Sequence, residues 1–454
     1  MNIYIKIEIK VRELESRLLL ALCAADRGHD VILGPHELTL SLLEKKILKP
    51  GILLEKSITP ADSRIKQLKN YKKIGSIITS IDEEGGFIDN DFTGFMNQRY
   101  GEETVKLADA IFSWGNHDYN LLKKKFIKYK KKIINTGNPR VDFWRPEFDK
   151  YFNLDRKKTI KKNKKYFLIA SNFGSMLHEQ RIWQDVILNR ENKYFDRGFD
   201  EYWNYDFQAY QLRLTSKFIF ALRHISTKFS NYNIIIRPHP TESVEAWKAV
   251  IGNYKNIFVI KEGSIGKWVR NSELVMHNSC TSGIESFAAN IPTIVYRPLR
   301  SKFERKYPNY FGMQAFSPKD LENKVRKIIN KNKHKIDLNK KKIINNKFKN
   351  LRGKFAFENI VDHWEKFDCQ KLSKKNNINK LKVIGTLKDI REKNYIKKFL
   401  RNNNYFDRKK FKFPPIKKEE LNHIVRNIKL SLSRFDNIEV DILSSKLIRV
   451  FKKK

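Results

Sequence analysis

Two α/β domains, each a parallel sheet wound by helices and followed by a basic, mainly helical tail, are predicted by three features of this 454-residue chain. Short β-branched and apolar runs recur along it, each breaking off into Gly, Ser, Asn or His, which is how central parallel strands end. Longer segments with helical spacing lie between them. A lysine-heavy stretch without period, residues 149–165, divides the pattern into two halves of similar form and reads as a linker.

The first half, residues 1–148, opens with a strand over Ile3 to Ile9. A helix from Arg12 to Arg27 follows, carrying Leu14, Leu18, Leu22 and Ala25 at helical spacing. Gly28-His29-Asp30 ends that helix, and Val31 to Gly34 is the next strand. Ile74 to Ile81 is a further strand with Asp82-Glu83-Glu84-Gly85-Gly86 at its carboxyl end. Leu107 to Ile111 runs into Phe112-Ser113-Trp114-Gly115, and Lys132 to Gly137 repeats the form. Such alternation is that of a doubly wound domain.

The second half, residues 166–345, begins with a strand at Tyr166 that ends in Ser171-Asn172-Phe173-Gly174, and has a long helix over Tyr202 to Phe229. Asn233 to Ile236 is a buried strand running into Arg237-Pro238-His239-Pro240, where the prolines forbid helix and ladder pairing and present Arg237 and His239 at the strand's carboxyl end. Glu273 to His277 is the next strand, followed by Asn278-Ser279-Cys280-Thr281-Ser282-Gly283 and a helix with Ile284, Phe287 and Ala288 on one face. A helix start rich in capping residues offers unpaired N–H groups and a positive dipole end to an anion. Ile291 to Tyr296 returns as a strand and Pro318 to Asn330 closes the domain as a helix. The remainder, 346–454, is dominated by Lys, Asn and Ile, with helical fragments at Leu387 to Leu400 and Leu421 to Phe435.

Lys and Arg number 92 against 50 Asp and Glu, a net charge of +42 that favours anionic partners. No helix-turn-helix, zinc finger or aromatic RNA-binding motif accompanies it, so nucleic acid is not the expected partner. Cys23, Cys280 and Cys369 lie far apart with no metal spacing, which argues for a reducing compartment and against a metal. No apolar run approaches the roughly 20 residues of a membrane span, so a cytoplasmic protein is expected, with any membrane contact peripheral and through basic surface. Asp89-Asn90-Asp91 spells DxD, a metal–nucleotide signature elsewhere, and reads here as chance in a polar loop.

Two walls of one cleft are expected from the two halves. Asp82, Glu83 and Glu84 crowd like charges beside Gly85, which raises a pKa and makes Glu84 or Glu83 a candidate base; Asn116 and His117 lie at a neighbouring strand end on the same acceptor side. Opposite them, Arg237, His239, Pro240, Asn172, Gly174, Asn278, Ser279, Thr281, Ser282, Gly283 and Glu285 form a phosphate side, with His239 assisting a departing phosphate. That division suits glycosyl transfer from a nucleotide sugar to a glycan, with the donor a substrate and no separate cofactor.

The order of Glu83-Glu84-Gly85, His239-Pro240 and a Ser/Thr-rich helix start resembles bacterial sialyltransferases and Kdo transferases, which carry a "D/E-D/E-G" and an "HP" motif and use CMP-activated sugars. Together with Thr136-Gly137-Asn138-Pro139-Arg140-Val141-Asp142, Arg237 to Glu242 and Asn278 to Glu285, it looks more particularly like the surface carbohydrate biosynthesis family of bacterial polysaccharide loci. The resemblance covers roughly residues 1–330. It implies a GT-B fold, an acceptor domain followed by a nucleotide-sugar domain, and a CMP-linked donor of Kdo or sialic-acid type. Transfer of polyol phosphate from a CDP-polyol, and a UDP-N-acetylhexosamine 2-epimerase, keep the same fold and remain as alternatives; a basic nucleic-acid-binding protein is the alternative from another class.

Overall fold

The chain was analysed as a computed structural model that describes every residue except 88–91, 155–164, 175, 180–182, 192–194, 196–199, 331–336, 369–371, 373–374, 401–411 and 454. It forms two compact units, Met1–Tyr151 with Lys341–Lys454, and Phe152–Lys340. The expected linker begins as a short helix, Asp149–Asn153, and most of the rest of it lies outside the described residues.

In the first unit, strands β1 (Asn2–Ile7), β2 (Asp30–Pro35), β3 (Ile52–Glu55), β4 (Ile77–Ile81), β5 (Ala110–Ser113) and β6 (Ile133–Asn135) are parallel in the order β2-β1-β3-β4-β5-β6. Three of these, β1, β3 and β5, are buried along their whole length, as strands covered on both faces must be. The order reverses between β1 and β3, the switch point at which open sheets leave a crevice.

The basic tail is not an appendage, and this corrects the sequence-based boundary at 346. Chain beyond 340 belongs to the first unit, and it is not helical throughout. After the helices Ile378–Leu400 and Lys418–Leu432 come two strands, β13 (Ile438–Ser444) and β14 (Leu447–Lys452), which extend the sheet by antiparallel pairing of β14 with β2. Leu381, Leu443 and Leu447 join the core formed by Tyr4, Ile32, Leu53 and Ile78. The helix Ala356–Trp364 buries Phe357, Ile360, Val361 and Trp364 completely, and each such side chain contributes about 1.5–3 kcal/mol. Asp142, at the end of the expected Thr-Gly-Asn-Pro-Arg-Val-Asp motif, anchors this segment. Its carboxyl accepts from the backbone N–H of Ala356 (3.0 Å) and Phe357 (3.1 Å) and from the Asn350 amide, and burial pushes it up to about 7.

The tail also explains the helix Lys10–Asp26, which is buried from Leu18 to Ala25 around its whole circumference. It packs on β1, β2 and β14 of the sheet and against the helices Ala356–Trp364 and Lys418–Leu432.

The second unit has strands β7 (Tyr166–Ala170), β8 (Asn233–Arg237), β9 (Ile257–Val259), β10 (Leu274–His277), β11 (Thr293–Tyr296) and β12 (Met313–Ala315), all parallel, in the order β12-β11-β10-β7-β8-β9. Alternate residues feed two cores: Phe167, Ile169, Ile234, Ile236, Leu274 and Met276 pack on one face with the helix Glu201–Lys228, and Tyr166, Leu168, Ile235 and Val275 on the other. Its switch point lies between β7 and β10. Among the described residues no helix is long and apolar enough to cross a membrane.

Candidate functional site

At the carboxyl edge of the first sheet, β4 delivers Asp82, Glu83 and Glu84, and the structure separates their roles. Asp82 is 1% exposed and takes both guanidinium arms of Arg99, at 2.7 and 3.0 Å. Burial raises its carboxyl and Arg99 offsets this in part. Its carbonyl accepts from Trp114 Nε1 at 2.6 Å, and its Oδ1 from the Glu84 N–H at 2.9 Å, so the residue shapes the turn rather than facing an acceptor.

Glu83 is equally buried and is ion-paired to Arg17, with Arg140 3.5 Å from its other oxygen. Burial alone would raise its pKa, but Arg17, Arg140 and Arg12 hold it below the ordinary carboxylate value. A shielded carboxylate held ionised is a poor base, which removes Glu83 from the catalytic pair. Glu84 keeps a side chain 47% exposed, 3.7 Å from Arg12. Of the three carboxylates it is the exposed one.

Gly85 and Gly86 make room for the Trp114 indole. A Cβ at Gly85 would lie 3.3 Å from Trp114 Cδ1, and one at Gly86 2.4 Å from Trp114 Cε3. Asn116 is held by Asn135 (2.7 Å) and Asn346 (3.2 Å). His117 is half-buried, and burial, helped by the charge of Lys347, pushes its imidazole down to about 4, so it is neutral near pH 7. Asp118 turns inward to accept from the backbone N–H of Trp114 and Gly115 at 2.8 and 3.0 Å. Asp89 to Asp91 lie outside the described residues.

At the carboxyl edge of the second sheet the ends of three adjacent strands converge. The centre is Glu242, a residue that the sequence reading did not assign to the site. Its fully buried carboxyl accepts from Ser171 Oγ and the Phe173 N–H after β7, from the His239 N–H (3.1 Å) after β8, and from Trp247 Nε1 (2.7 Å). Burial raises its pKa against the pull of these donors. His239 is half-buried, with Nδ1 2.9 Å from Thr241 Oγ1 and accepting from the Thr241 N–H at 3.3 Å. An accepting Nδ1 assigns the ring proton to Nε2. Gly174 lies against Thr241: a Cβ there would be 3.0 Å from its Oγ1. Asn172 donates to the Ser279 carbonyl at 3.4 Å, across the switch point between β7 and β10.

Other expected phosphate ligands prove to be framework. Arg237 is 5% exposed and donates to the carbonyls of Ile260 (2.7 Å), Glu262 (2.8 Å) and Gly263 (2.6 Å), with burial pushing it down to about 10. It clamps the loop after β9 and does not face a ligand. Asn278 donates to the Tyr296 carbonyl at 2.9 Å. Ser279, at φ +54°, gives its N–H to Asn309 Oδ1 (2.6 Å) and its hydroxyl to Asn278 Oδ1 (2.8 Å). Gly283 is required by His277, whose Nε2 would lie 2.0 Å from a Cβ, and Ser282 is buried. Half-buried Thr281, Glu285 and Pro240 complete the edge, and the Thr281 hydroxyl makes no capping bond with the helix Ser282–Ala288. Among the described residues no group of His, Cys, Asp and Glu could hold a metal.

No protein-family model matches the chain, and no curated protein matches it. Solved structures do. A structure of the wall teichoic acid polymerase TagF soaked with CDPG is similar at 13% identity, over 82% of this chain and 90% of that one, with a TM-score of 0.51. The UDP-GlcNAc 2-epimerase of Methanocaldococcus jannaschii, in complex with UDP-GlcNAc and UDP, is similar at 14% identity over 80% and 99% of the two chains, with a TM-score of 0.49. That of Neisseria meningitidis bound to UDP-GlcNAc gives 12%, 81%, 100% and 0.48. The fold is therefore GT-B-like, with two Rossmann-like α/β units.

Proposed function

We propose that the chain is a glycosyltransferase of bacterial cell-surface polysaccharide synthesis that takes its sugar from a nucleotide-activated donor, CMP-linked and of Kdo or sialic-acid type. The observation that carries this reading is the convergence of Asn172, Gly174, His239 and Thr281 at the ends of β7, β8 and β10, with His239 oriented by Thr241 and Glu242. In the reaction the acceptor hydroxyl attacks the anomeric carbon, Glu84 takes its proton, and the bond from that carbon to the phosphate oxygen breaks. His239 Nε2 donates a hydrogen bond or proton to the leaving nucleoside monophosphate, whose second pKa of about 6 lets an imidazole assist without a metal. The acceptor role falls to the first unit and the nucleotide role to the second. No separate cofactor is assigned.

A second reading keeps the site and changes the group moved, to polyol phosphate from a CDP-polyol; the CDPG-soaked TagF structure among the fold neighbours favours keeping it. Isothermal calorimetry against CMP, CDP, UMP and UDP separates the two. Preferred binding of CMP, weakened about tenfold or more by His239→Ala, supports the first reading. Preference for CDP moves the assignment to polyol-phosphate transfer, preference for UDP to a UDP-sugar enzyme, and absence of nucleotide binding overturns both.

A further inference from the structure

We propose that the outer face of the first part of the helix Ile378–Leu400, residues 378–391, docks this protein on an anionic lipid surface. The inner face of its first half is fixed to the sheet. Leu381 is buried in the core with Leu443 and Leu447, and Gly385 approaches β13 so closely that a Cβ would lie 2.7 Å from that of Ser444. Asp389 accepts from the N–H and hydroxyl of Ser445, both at 2.7 Å.

With that side occupied, Val383, Leu387 and Ile390 point outward, 59%, 51% and 49% exposed. Single exposed aliphatics are ordinary. Three at spacings of four and three form a stripe on one helix face. At about 100° per residue, Lys380 and Arg391 flank the stripe on one side and Lys382 on the other, all exposed. Lys382 has Asp441 at 3.9 Å. Between residues 378 and 391 the sole acid is Asp389, already engaged with Ser445.

An apolar ridge with cationic flanks matches the boundary between acyl chains and anionic headgroups, where aliphatic side chains insert and Lys or Arg meet phosphate. Against a second copy of this chain, a symmetric contact would oppose cation to cation, and three aliphatic side chains offer far less than the roughly 800 Å² per partner of a stable interface. The chain's +42 charge draws it to the same kind of surface from a distance. This inference does not depend on the donor chemistry proposed above, and its test reads binding rather than activity.

The full chain is sedimented with vesicles of phosphatidylcholine alone and of phosphatidylcholine mixed with phosphatidylglycerol. Two variants accompany it: Val383→Ser/Leu387→Ser/Ile390→Ser, and Lys380→Gln/Lys382→Gln/Arg391→Gln. Circular dichroism and light scattering are recorded for each. The expected result is binding to the mixed vesicles that falls about tenfold or more in both variants, with unchanged spectra and unchanged mass. Equal binding by the serine variant would place the attachment elsewhere and overturn the proposal. So would an absence of vesicle binding by the unmodified chain, or a dimer that the serine substitutions dissolve.

Discussion

At the carboxyl edge of the first sheet the side chains meet as ion pairs, whereas at that of the second they meet as hydrogen bonds around a single carboxyl. Arg17 closes on Glu83, Arg99 on Asp82 and Lys6 on Glu55, the last spanning the switch point between β1 and β3. Lys6 and Glu55 are almost wholly buried, and burial lowers the lysine to about 8 even with the carboxylate beside it. Across the corresponding switch point of the second sheet lies the bond from the Asn172 amide to the Ser279 carbonyl. A crevice filled by paired charges is closed to an anion, because the cations already have partners. The second edge is instead lined by amide, hydroxyl and imidazole groups, held by neutral hydrogen bonds. On the proposed reading, phosphate recognition belongs to the second unit and the acceptor to the first.

The largest expected effect tests the ion-paired edge. Glu83→Gln leaves Arg17, 1% exposed, without its carboxylate, and should cost about 3–5 kcal/mol of stability, read by denaturant unfolding. Were Glu83 the base, the same substitution would also abolish transfer by the protein that remains folded. Next in size is Glu242→Gln at the other edge. An amide presents one oxygen and an NH₂ where four donors now converge, so at least one buried N–H or O–H loses its acceptor, at about 1–3 kcal/mol. Because the loops after β7 and β8 lose their common anchor, nucleotide affinity measured by calorimetry should fall with it. Loss of stability with full nucleotide affinity would show that Glu242 holds the fold without organising the site.

Most of the parallel strands and the long helix Glu201–Lys228 were legible from apolar runs and helical spacing, because each obeys one period over its length. The tail was not, for a reason visible in the helix Lys10–Asp26. Its run Leu18-Leu19-Leu20-Ala21-Leu22-Cys23-Ala24-Ala25 is apolar on every side, which a helix facing solvent cannot be, but helical spacing on one face was all that was read there. Strands β3, β9 and β12, of four and three residues, were not read, whereas β6, also of three, was read from the glycine loop that ends it. At the strand ends, residue types did not give the direction of each side chain. Arg237 looks like a phosphate ligand until three carbonyls are found around it, and Glu242 looks like a surface residue until Ser171 and Trp247 are seen to point at it.

The smallest expected effect on stability carries the sharpest consequence for function. Glu84 sits one residue from Glu83 yet has a half-exposed side chain, with Arg12 3.7 Å away as its ion-pair partner. A partly exposed pair 3.7 Å apart contributes little, so Glu84→Gln should change the unfolding free energy by no more than about 0.5 kcal/mol. Nucleotide affinity should also hold, because the residues assigned to the nucleotide belong to the other unit. Turnover should drop by about 10²–10⁴, the range for loss of a positioned general base. The three readouts taken together separate the roles of adjacent carboxylates: stability lost at Glu83 with turnover lost at Glu84 fits a buried brace beside an exposed base, while normal transfer by the Glu84→Gln chain would remove the base from this edge and require it to come from elsewhere.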